Sequence, residues 1–374
     1  MVEGRAWMIR DYAPGDEAAI VALYERSFGQ PMGESESSGH WRWEFAQNPV
    51  GPRTIKLAWS EELLVGQYAV SPRRLRSLGQ DRVGGLSIDS MTHPEFKRRG
   101  VFAESGEACT KAMADRGFAF VYGFPNADSI RGFENKLGWK SIMPVPVLAK
   151  VLDLGGLAQT LGRPELRRWI SLASRSLTRA PGVVGELGAR LSATRGGRAV
   201  PPVRSFEGFG DWADKLWLRC RDQQRIAVIR DLEFLRWRYD ERPESDYLRL
   251  RVDGPTGVLG FAVMAFSSGP HGPGAFLMEL VIDHDHPDGD LAATALLHAC
   301  EREARQRSCA FLSAMAAPGS AERPLLLRQA YLPILERLLP WELYFGARCI
   351  CEVDRSMVLH PESWRLSWGD TDMM

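Results

Sequence analysis

Apolar and polar positions along the first 150 residues predict an ordered series of strands and helices. Met8-Ile9-Arg10 has the alternation of a short strand. Pro14-Gly15-Asp16 predicts a helix start with Asp16 as N-cap, and Ile20, Leu23, Tyr24 and Phe28 then recur on one helical face. Residues 54–59 and 63–70 read as two strands joined through Ser60-Glu61-Glu62, and 84–92 as a third. A helix is expected over 101–116, with Gly117 as its stop. Phe118 to Phe124 is a short apolar run, hence a buried strand. A helix over 129–137 ends at Gly138, and residues 141–152 return to strand character. Strands alternating with helices predict an α/β or α+β layered domain.

Residues 153–203 break the pattern with Gly155-Gly156, Gly196-Gly197 and Pro201-Pro202, and hold eight arginines against three acids. Leu166, Trp169, Ile170, Ala173 and Leu177 make one helical face. A linker with a docked amphipathic helix is the favoured reading, and contact with an anionic membrane surface is the other.

From about residue 204 the pattern starts again. A helix near 211–222 precedes a strand from Arg225 to Ile229. Arg42-Trp43-Glu44-Phe45 with Pro49 then matches Arg236-Trp237-Arg238-Tyr239 with Pro243, both Arg-Trp-x-aromatic-x-x-x-Pro. Val65-Gly66-Gln67-Tyr68-Ala69-Val70 corresponds to Leu259-Gly260-Phe261-Ala262-Val263-Met264. A strand-helix-strand unit recurs at 84–124 and 276–315. The shared order points to duplication, with Trp43 and Trp237 as core residues. The expected division is 1–152, a linker at 153–203, and a second domain at 204–374.

Composition narrows the function classes. The 374 residues hold 47 Lys plus Arg and 47 Asp plus Glu, so no global field draws in nucleic acid. Hydrophobic content of 45% and charged content of 25% are those of a soluble globular protein. The N-terminus lacks the apolar stretch of a signal peptide, and no apolar run is long enough for an integral membrane segment. The six cysteines include no CxxC, and Cys349-Ile350-Cys351 puts alternate residues on one strand face, suited to core packing. Reduced thiols in a cytoplasmic protein are expected, and a homodimer is an open assembly.

The chemistry gathers after the strand at 84–92. His93-Pro94-Glu95 breaks the strand, and Lys97-Arg98-Arg99-Gly100-Val101-Phe102-Ala103 leads into a helix. Free N–H groups at a helix N-terminus, a glycine that permits close approach and three cations make an anion site for a pyrophosphate or 3′-phosphate. On spacing alone, a basic loop with no ligand is an equal alternative.

The segment resembles the acetyl-CoA loop of the GNAT N-acetyltransferases, Gln/Arg-x-x-Gly-x-Gly/Ala, preceded by an apolar strand. Lys97 stands at the Gln/Arg place, Gly100 at the central glycine, and Phe102 at the final small position. Gly123-Phe124-Pro125-Asn126 and Phe133-Glu134-Asn135-Lys136-Leu137-Gly138-Trp139 resemble the later strand, its Asn and the following helix. Residues 8–152 carry the resemblance in order, and the second half resembles the same fold. The tail Trp364-Arg365-Leu366-Ser367-Trp368-Gly369-Asp370-Thr371-Asp372 is similar to that of bacterial tandem-GNAT proteins.

The resemblance implies two tandem GNAT-like domains, each a mixed, mostly antiparallel sheet flanked by helices. It implies acetyl transfer from acetyl-CoA to a small-molecule amine or amino sugar in a ternary complex, without a metal. Met91, Thr92, Lys97, Arg98, Arg99, Gly100, Val101, Phe102, Ala103, Asn126 and Ser129 would bind the acyl-CoA, with Met91 or Thr92 giving a backbone N–H to the acyl carbonyl. Asp89 is the candidate base, or a strand-end carboxylate, and Asn126 a pantetheine ligand or a helix cap. The tyrosine that many relatives use as an acid is replaced by Glu134, which leaves Tyr122 as a candidate acid or a buried core residue. Aminoacyl or long-chain acyl transfer and a non-catalytic acyl-CoA sensor are the alternatives. The second half carries Asp283-His284-Asp285-His286-Pro287-Asp288-Gly289-Asp290 in place of the basic loop. That acidic run would repel a pyrophosphate and reads as a solvated loop rather than a metal site. One acyl-CoA site per chain is expected, the second domain shaping the acceptor pocket or stabilising the first.

Overall fold

The computed structural model describes residues 6–29, 38–153, 201–243, 245–267, 273–334 and 342–371. The expected amphipathic face from Leu166 to Leu177 lies outside them. The chain forms two compact units. The first holds 1–145, 224–245 and 341–364, and the second 146–223, 246–340 and 365–374. The units are thus discontinuous in sequence, whereas the sequence reading divides the chain into consecutive blocks.

In the first unit, β1 (Met8–Asp11), β2 (Thr54–Ser60), β3 (Leu63–Ser77), β4 (Gln80–Thr92), β5 (Phe120–Gly123) and β6 (Lys140–Pro144) come from the N-terminal part. Helices α1 (Glu17–Phe28), α2 (Ser38–Trp41), α3 (Val101–Asp115) and α4 (Ala127–Leu137) lie between them. The second unit begins with β7 (Val147–Val151), β8 (Val203–Ser205) and α5 (Trp212–Cys220). The chain then returns to the first unit for β9 (Ile226–Val228) and α6 (Leu232–Leu235). Then β10 (Leu248–Gly254), β11 (Gly257–Ser267), β12 (Gly274–Ile282), α7 (Gly289–Gln306), β13 (Phe311–Met315), α8 (Glu322–Arg328) and β14 (Leu332–Pro333) follow in the second unit. β15 (Tyr344–Cys349) and α9 (Arg355–Val358) belong to the first.

The first sheet runs β1-β2-β3-β4-β5-β15-β6, with β9 also paired to β3. All its pairings are antiparallel except β4 with β5. The second sheet runs β14-β7-β13-β12-β11-β10-β8, parallel only at β12 with β13. Each sheet takes its next-to-edge strand from the opposite end of the sequence. The strand expected over 141–152 is therefore two strands in two sheets, broken at Val145-Pro146, where proline supplies no N–H to a ladder.

Two local details differ from the sequence reading. Asp16 precedes α1 but makes no side-chain cap. It accepts two bonds from Arg10, at 2.7 and 2.6 Å, and one from the Ala13 N–H at 2.7 Å. The hairpin from β3 to β4 also extends past the expected strands, turning at Leu78 (φ 51°) and Gly79 (φ 77°), the left-handed pair of a tight hairpin turn. In this extension Arg73 is buried and paired with buried Glu44 at 2.7 Å.

The packing fixes α3 and α4 against one face of the first sheet. Cys109 and Met113 of α3 and Phe133 and Leu137 of α4 meet Tyr68, Val70 and Val121 of the strands and nearby Trp139. Each large apolar side chain so buried contributes about 1.5–3 kcal/mol. A Cβ on Gly106 would stand 2.6 Å from Leu137, and one on Gly66 would stand 2.3 Å from Val101, so these glycines set how closely α3 approaches α4 and β3. All six cysteines are free. Burial pushes the Cys109 and Cys300 thiols well above their ordinary range, so both stay protonated. β15 ends at Cys349, and Cys351 lies beyond it, exposed rather than in the core.

Candidate functional site

The first unit's site is built where β4 and β5 part. They pair as parallel strands only from Gly85–Ser87 to Val121–Gly123. β4 runs on to Thr92 while β5 stops at Gly123. A Cβ at Gly123 would lie 3.1 Å from the Ser87 carbonyl oxygen, so glycine permits close approach at the last paired position. Past that point no strand among the described residues pairs with this edge of β4. The carboxyl ends of parallel strands beside helix N-termini are a general ligand position in α/β sheets.

β4 also carries a bulge at this point. Gln67 faces Met91 and Ala69 faces Ile88, so Asp89 and Ser90 together stand opposite Tyr68. Asp89 adopts φ 50°, a left-handed conformation that costs a residue with a Cβ about 1–2 kcal/mol. The buried Gln67 side chain donates from Nε2 to the Asp89 carbonyl at 3.0 Å. Ile88 and Met91 are buried and Asp89 is exposed, which is the break in alternation that a bulge causes. Gln67 Oε1 and Ser90 Oγ are buried without a hydrogen-bond partner among the described residues.

The strand end is anchored. The His93 N–H donates to the Val65 carbonyl at 2.9 Å, and the Thr92 carbonyl accepts from Ser27 Oγ at 3.4 Å. The Glu95 N–H donates to His93 Nδ1 at 3.3 Å, which turns the chain through Pro94–Phe96 into the basic loop. Lys97, Arg98 and Arg99 are exposed, and among the described residues none is in an ion pair. The Arg99 guanidinium lies 5.1 Å from the centre of the Phe96 ring. Arg98 (φ 65°) and Gly100 (φ 104°) are both left-handed, and Gly100 caps the 15-residue α3. The first-turn N–H groups of α3, from Val101 to Ala103, have no carbonyl one turn behind them inside the helix. Three exposed cations and these donors fit a polyphosphate.

Phe102 stands at the expected small position and does structural work. Its ring meets Phe133 edge-on at 5.0 Å and Tyr68 at 5.8 Å, and sits over Gly132, whose Cβ would be 3.4 Å away. It therefore fills the seam between α3 and α4.

Asn126 is the N-cap of α4: its Oδ1 accepts from the Ser129 N–H at 2.9 Å, while Ser129 Oγ donates back to its carbonyl at 3.2 Å. Tyr122 is fully buried, with Phe124, Phe345 and Trp364 around its ring. Met91 and Val101 are buried, and Thr92, Phe102 and Ala103 half-buried. The structure thus brings the β4 end, the basic loop and the α3 start together at one place. It puts Asn126 at the adjacent start of α4 and Tyr122 in the core. Gln67 escaped the sequence reading. Its only sequence signal is a polar residue inside an apolar strand.

The second unit repeats the frame without the charge. β12 and β13 are paired over three residues, Ala275–Leu277 with Leu312–Ala314. Asp283, opening the acidic loop, accepts from Arg219 Nε at 2.6 Å, and His286 Nδ1 accepts from the Asp288 N–H at 3.1 Å. Among the described residues no cluster of His, Cys, Asp and Glu could hold a metal ion, and no helix is long and apolar enough to cross a membrane.

Comparison with known proteins agrees with this frame. Residues 8–142 match the family model of the acetyltransferase (GNAT) domain. No curated protein matches the chain in sequence. Among solved structures, the chain is similar to a GCN5-related N-acetyltransferase from Anabaena variabilis, with TM-score 0.59 and 11% identity over 92% of this chain and 73% of that one. It is similar to Saccharomyces cerevisiae N-myristoyltransferase with bound myristoyl-CoA, with TM-score 0.58 and 11% identity over 100% and 91%. It is also similar to a tandem GNAT protein of the clavulanic acid biosynthesis pathway, with TM-score 0.51 and 12% identity over 93% and 100%. At such identities the structural likeness speaks for the fold alone. The matched domain and the repeated frame agree: residues 8–142 form a domain of the acetyltransferase (GNAT) family, and the chain has the fold of two GNAT-like units.

Proposed function

We propose that the chain is an N-acyltransferase that moves acetyl from acetyl-CoA to a primary amine of a small molecule or amino sugar, by direct attack in a ternary complex. The observation that carries this reading is the splay of β4 from β5 at the Asp89 bulge, continuous with an unpaired basic loop at the start of α3. Lys97, Arg98, Arg99 and the first-turn N–H groups of α3 hold the phosphates. The free edge of β4 lines the pantetheine, and a backbone N–H at Met91 or Thr92 meets the acyl carbonyl as charge develops. Asn126 has its oxygen committed to the α4 cap, which leaves its amide NH2 for a pantetheine carbonyl.

An alkyl ammonium with a pKa of about 10.4 is disfavoured as free amine by roughly 4–5 kcal/mol at pH 7. A base must take that proton, and exposed Asp89 at the bulge is the group in place, directly or through water. The leaving thiolate is stable near neutral pH, so burial of Tyr122 in the core is compatible with turnover.

A longer acyl donor is the second reading. It is favoured by the fold likeness to N-myristoyltransferase, a protein seen with myristoyl-CoA bound. Turnover across an acyl-CoA chain-length series separates the two.

A thermal-shift titration with acetyl-CoA tests the shared premise. Saturation at about 100 times Kd should stabilise the bound fold by about 2.7 kcal/mol, a rise of several degrees in Tm. No shift with acetyl-CoA, myristoyl-CoA or CoA would sink both readings.

A further inference from the structure

The second unit has a splayed pair of its own, and the chain's C-terminal segment lies in it. The registers align the two units. Gly66 faces Thr92 in the first and Gly260 faces Ile282 in the second, while Gln67 faces Met91 as Phe261 faces Val281. Three residues back from Thr92 is Asp89. Three residues back from Ile282 is Glu279. The second sheet also has its register shift here, between Val263 and Met264. Glu279 is thus the counterpart of Asp89, but it is completely buried where Asp89 is exposed.

What buries it is Arg365. Its Nη2 donates to Glu279 Oε2 at 3.1 Å and to the Leu280 carbonyl at 2.9 Å, and its Nε donates to Glu322 Oε1 at 2.8 Å. The Leu280 carbonyl belongs to the part of β12 beyond its pairing with β13. Ser367 Oγ donates to the other Glu279 oxygen at 3.0 Å. Trp368 stands edge-on to Phe276 at 5.9 Å and donates from Nε1 to Ser313 Oγ at 3.2 Å, which reaches β13. One peptide segment therefore binds both splayed strands. The Ser367 N–H donates to Asp370 Oδ2 at 2.8 Å, and Thr371 Oγ1 donates to the Trp368 carbonyl at 2.9 Å, so the segment folds on itself as it docks.

A cavity of about 20 Å³ lies beside Arg365 and Leu280, enough for a water. Burial alone would lower the Arg365 guanidinium, but Glu322, Glu279 and Asp370 outweigh it and hold the group charged. The other end of the cleft is closed as well. A Cβ on Gly289, the first residue of α7, would stand 2.2 Å from the Asp283 carbonyl oxygen, and the Gly289 N–H is already bonded to the His286 carbonyl at 2.8 Å.

We infer that the cleft of the second unit is a peptide-binding site whose ligand is the chain's own segment 365–371, recognised by an arginine on Glu279 and Glu322 and by an indole on Phe276 and Ser313. The comparison with an acyl-CoA cleft rests on the proposed function of the first unit; the peptide site does not.

The test uses the intact chain, a chain ending at Trp364, and a synthetic peptide of residues 365–374. Hydrogen exchange is read over 277–282 and 311–315. Truncation should speed exchange there at least tenfold. The peptide should restore protection saturably, and the same peptide carrying Arg365→Met should not. Unchanged exchange after truncation, or protection restored by acetyl-CoA but not by the peptide, overturns the inference. Should the shortened chain not fold, full-length Arg365→Met gives the answer. Its amides over 366–371 should exchange at least tenfold faster while those of α7 stay protected, and wild-type exchange over 366–371 overturns the site. Loss of acetyl-CoA stabilisation in the intact chain would count against the proposed function and leave this result standing.

Discussion

Trp43 and Trp237 lie ring on ring, centroids 4.6 Å apart and planes 11° from parallel, and each indole N–H donates to the other's backbone carbonyl. The two residues hold the same place in the repeated Arg-Trp-x-aromatic segment, and both segments end a short helix in a π-helical turn, at Arg42–Ala46 and Arg236–Asp240. The widened turn sets both indoles where the exchange is possible. Trp43→Ala should cost about 3–5 kcal/mol of first-unit stability. Trp43→Phe should cost about 1–3 kcal/mol, because the Trp237 carbonyl loses its donor. Urea denaturation of both single variants and the double Phe variant should give a coupling energy above about 0.5 kcal/mol. Additive costs would mean that the pair does not act as one.

The bulge on β4 makes a prediction that separates backbone strain from chemistry. Asp89→Gly keeps φ 50° without a Cβ, whereas Asp89→Ala retains the strain. The Ala variant should be less stable than the Gly variant by about 1 kcal/mol in urea denaturation, and both should lose turnover by about 10²–10⁴-fold. Gln67→Leu should keep acetyl-CoA affinity and lower kcat, since it removes the bond to the Asp89 carbonyl and leaves the basic loop alone. Equal stability of the Ala and Gly variants would show that the left-handed turn is not strained.

Much of this site could be read in the sequence because its parts are local. The end of β4, Gly100 and the start of α3 follow within a dozen residues, each with its own periodic or glycine signal. The bulge could not be read, since nothing in Ile88-Asp89-Ser90-Met91 demands a positive φ at a residue with a Cβ. The strand exchange was also hidden. β7 and β15 are short apolar strands, and local pattern tells that they are strands but not which sheet they join. The outer part of the β3–β4 hairpin lies outside the expected strands, and the buried partner of Arg73, Glu44, is distant in sequence. The C-terminal segment stood out as a motif, while its target Glu279 lay inside an apolar strand with no mark of its role.

The basic loop predicts a salt-dependent affinity. Arg98→Ala and Arg99→Ala should each weaken acetyl-CoA binding about threefold to tenfold, or roughly 0.7–1.4 kcal/mol, with smaller effects at high salt, where exposed charges are screened. Arg98→Gly should weaken binding to the same extent while raising fold stability by up to about 1 kcal/mol, because φ 65° suits glycine. Calorimetry at two salt concentrations reads the first effect and denaturation the second. Salt-independent binding would remove these residues from the phosphate site.

Asp16 predicts an acid limb in the stability of the first unit. Its carboxyl is held below the ordinary 3.8, first by the hydrogen bonds from Arg10, with burial opposing and the Ala13 N–H assisting. A depressed folded pKa means that the stabilisation is complete above about 3.8 and is lost as pH falls through the lower folded value. Arg10 is about a third exposed, so the contribution is about 1 kcal/mol or less. Asp16→Asn should be less stable than wild type at pH 6, and the gap should narrow as pH falls below about 3.8. A gap of constant size across that range would assign the effect to packing.

Phe102 predicts a separation of fold from ligand. Its ring joins α3 to α4 through Phe133 and Gly132, although it follows the loop by only two residues. Phe102→Ala leaves a void between the helices and should cost about 3–4 kcal/mol. Gly132→Ala meets the ring at 3.4 Å, so a shift of a few tenths of an ångström accommodates it, and the cost should stay below about 1.5 kcal/mol. If the phosphates are held by the loop cations and the α3 N–H groups, acetyl-CoA affinity measured well below the Tm should change less than threefold in both variants. A large loss of affinity in Phe102→Ala at temperatures where the protein is folded would mean that the ring itself shapes the acyl-CoA cleft.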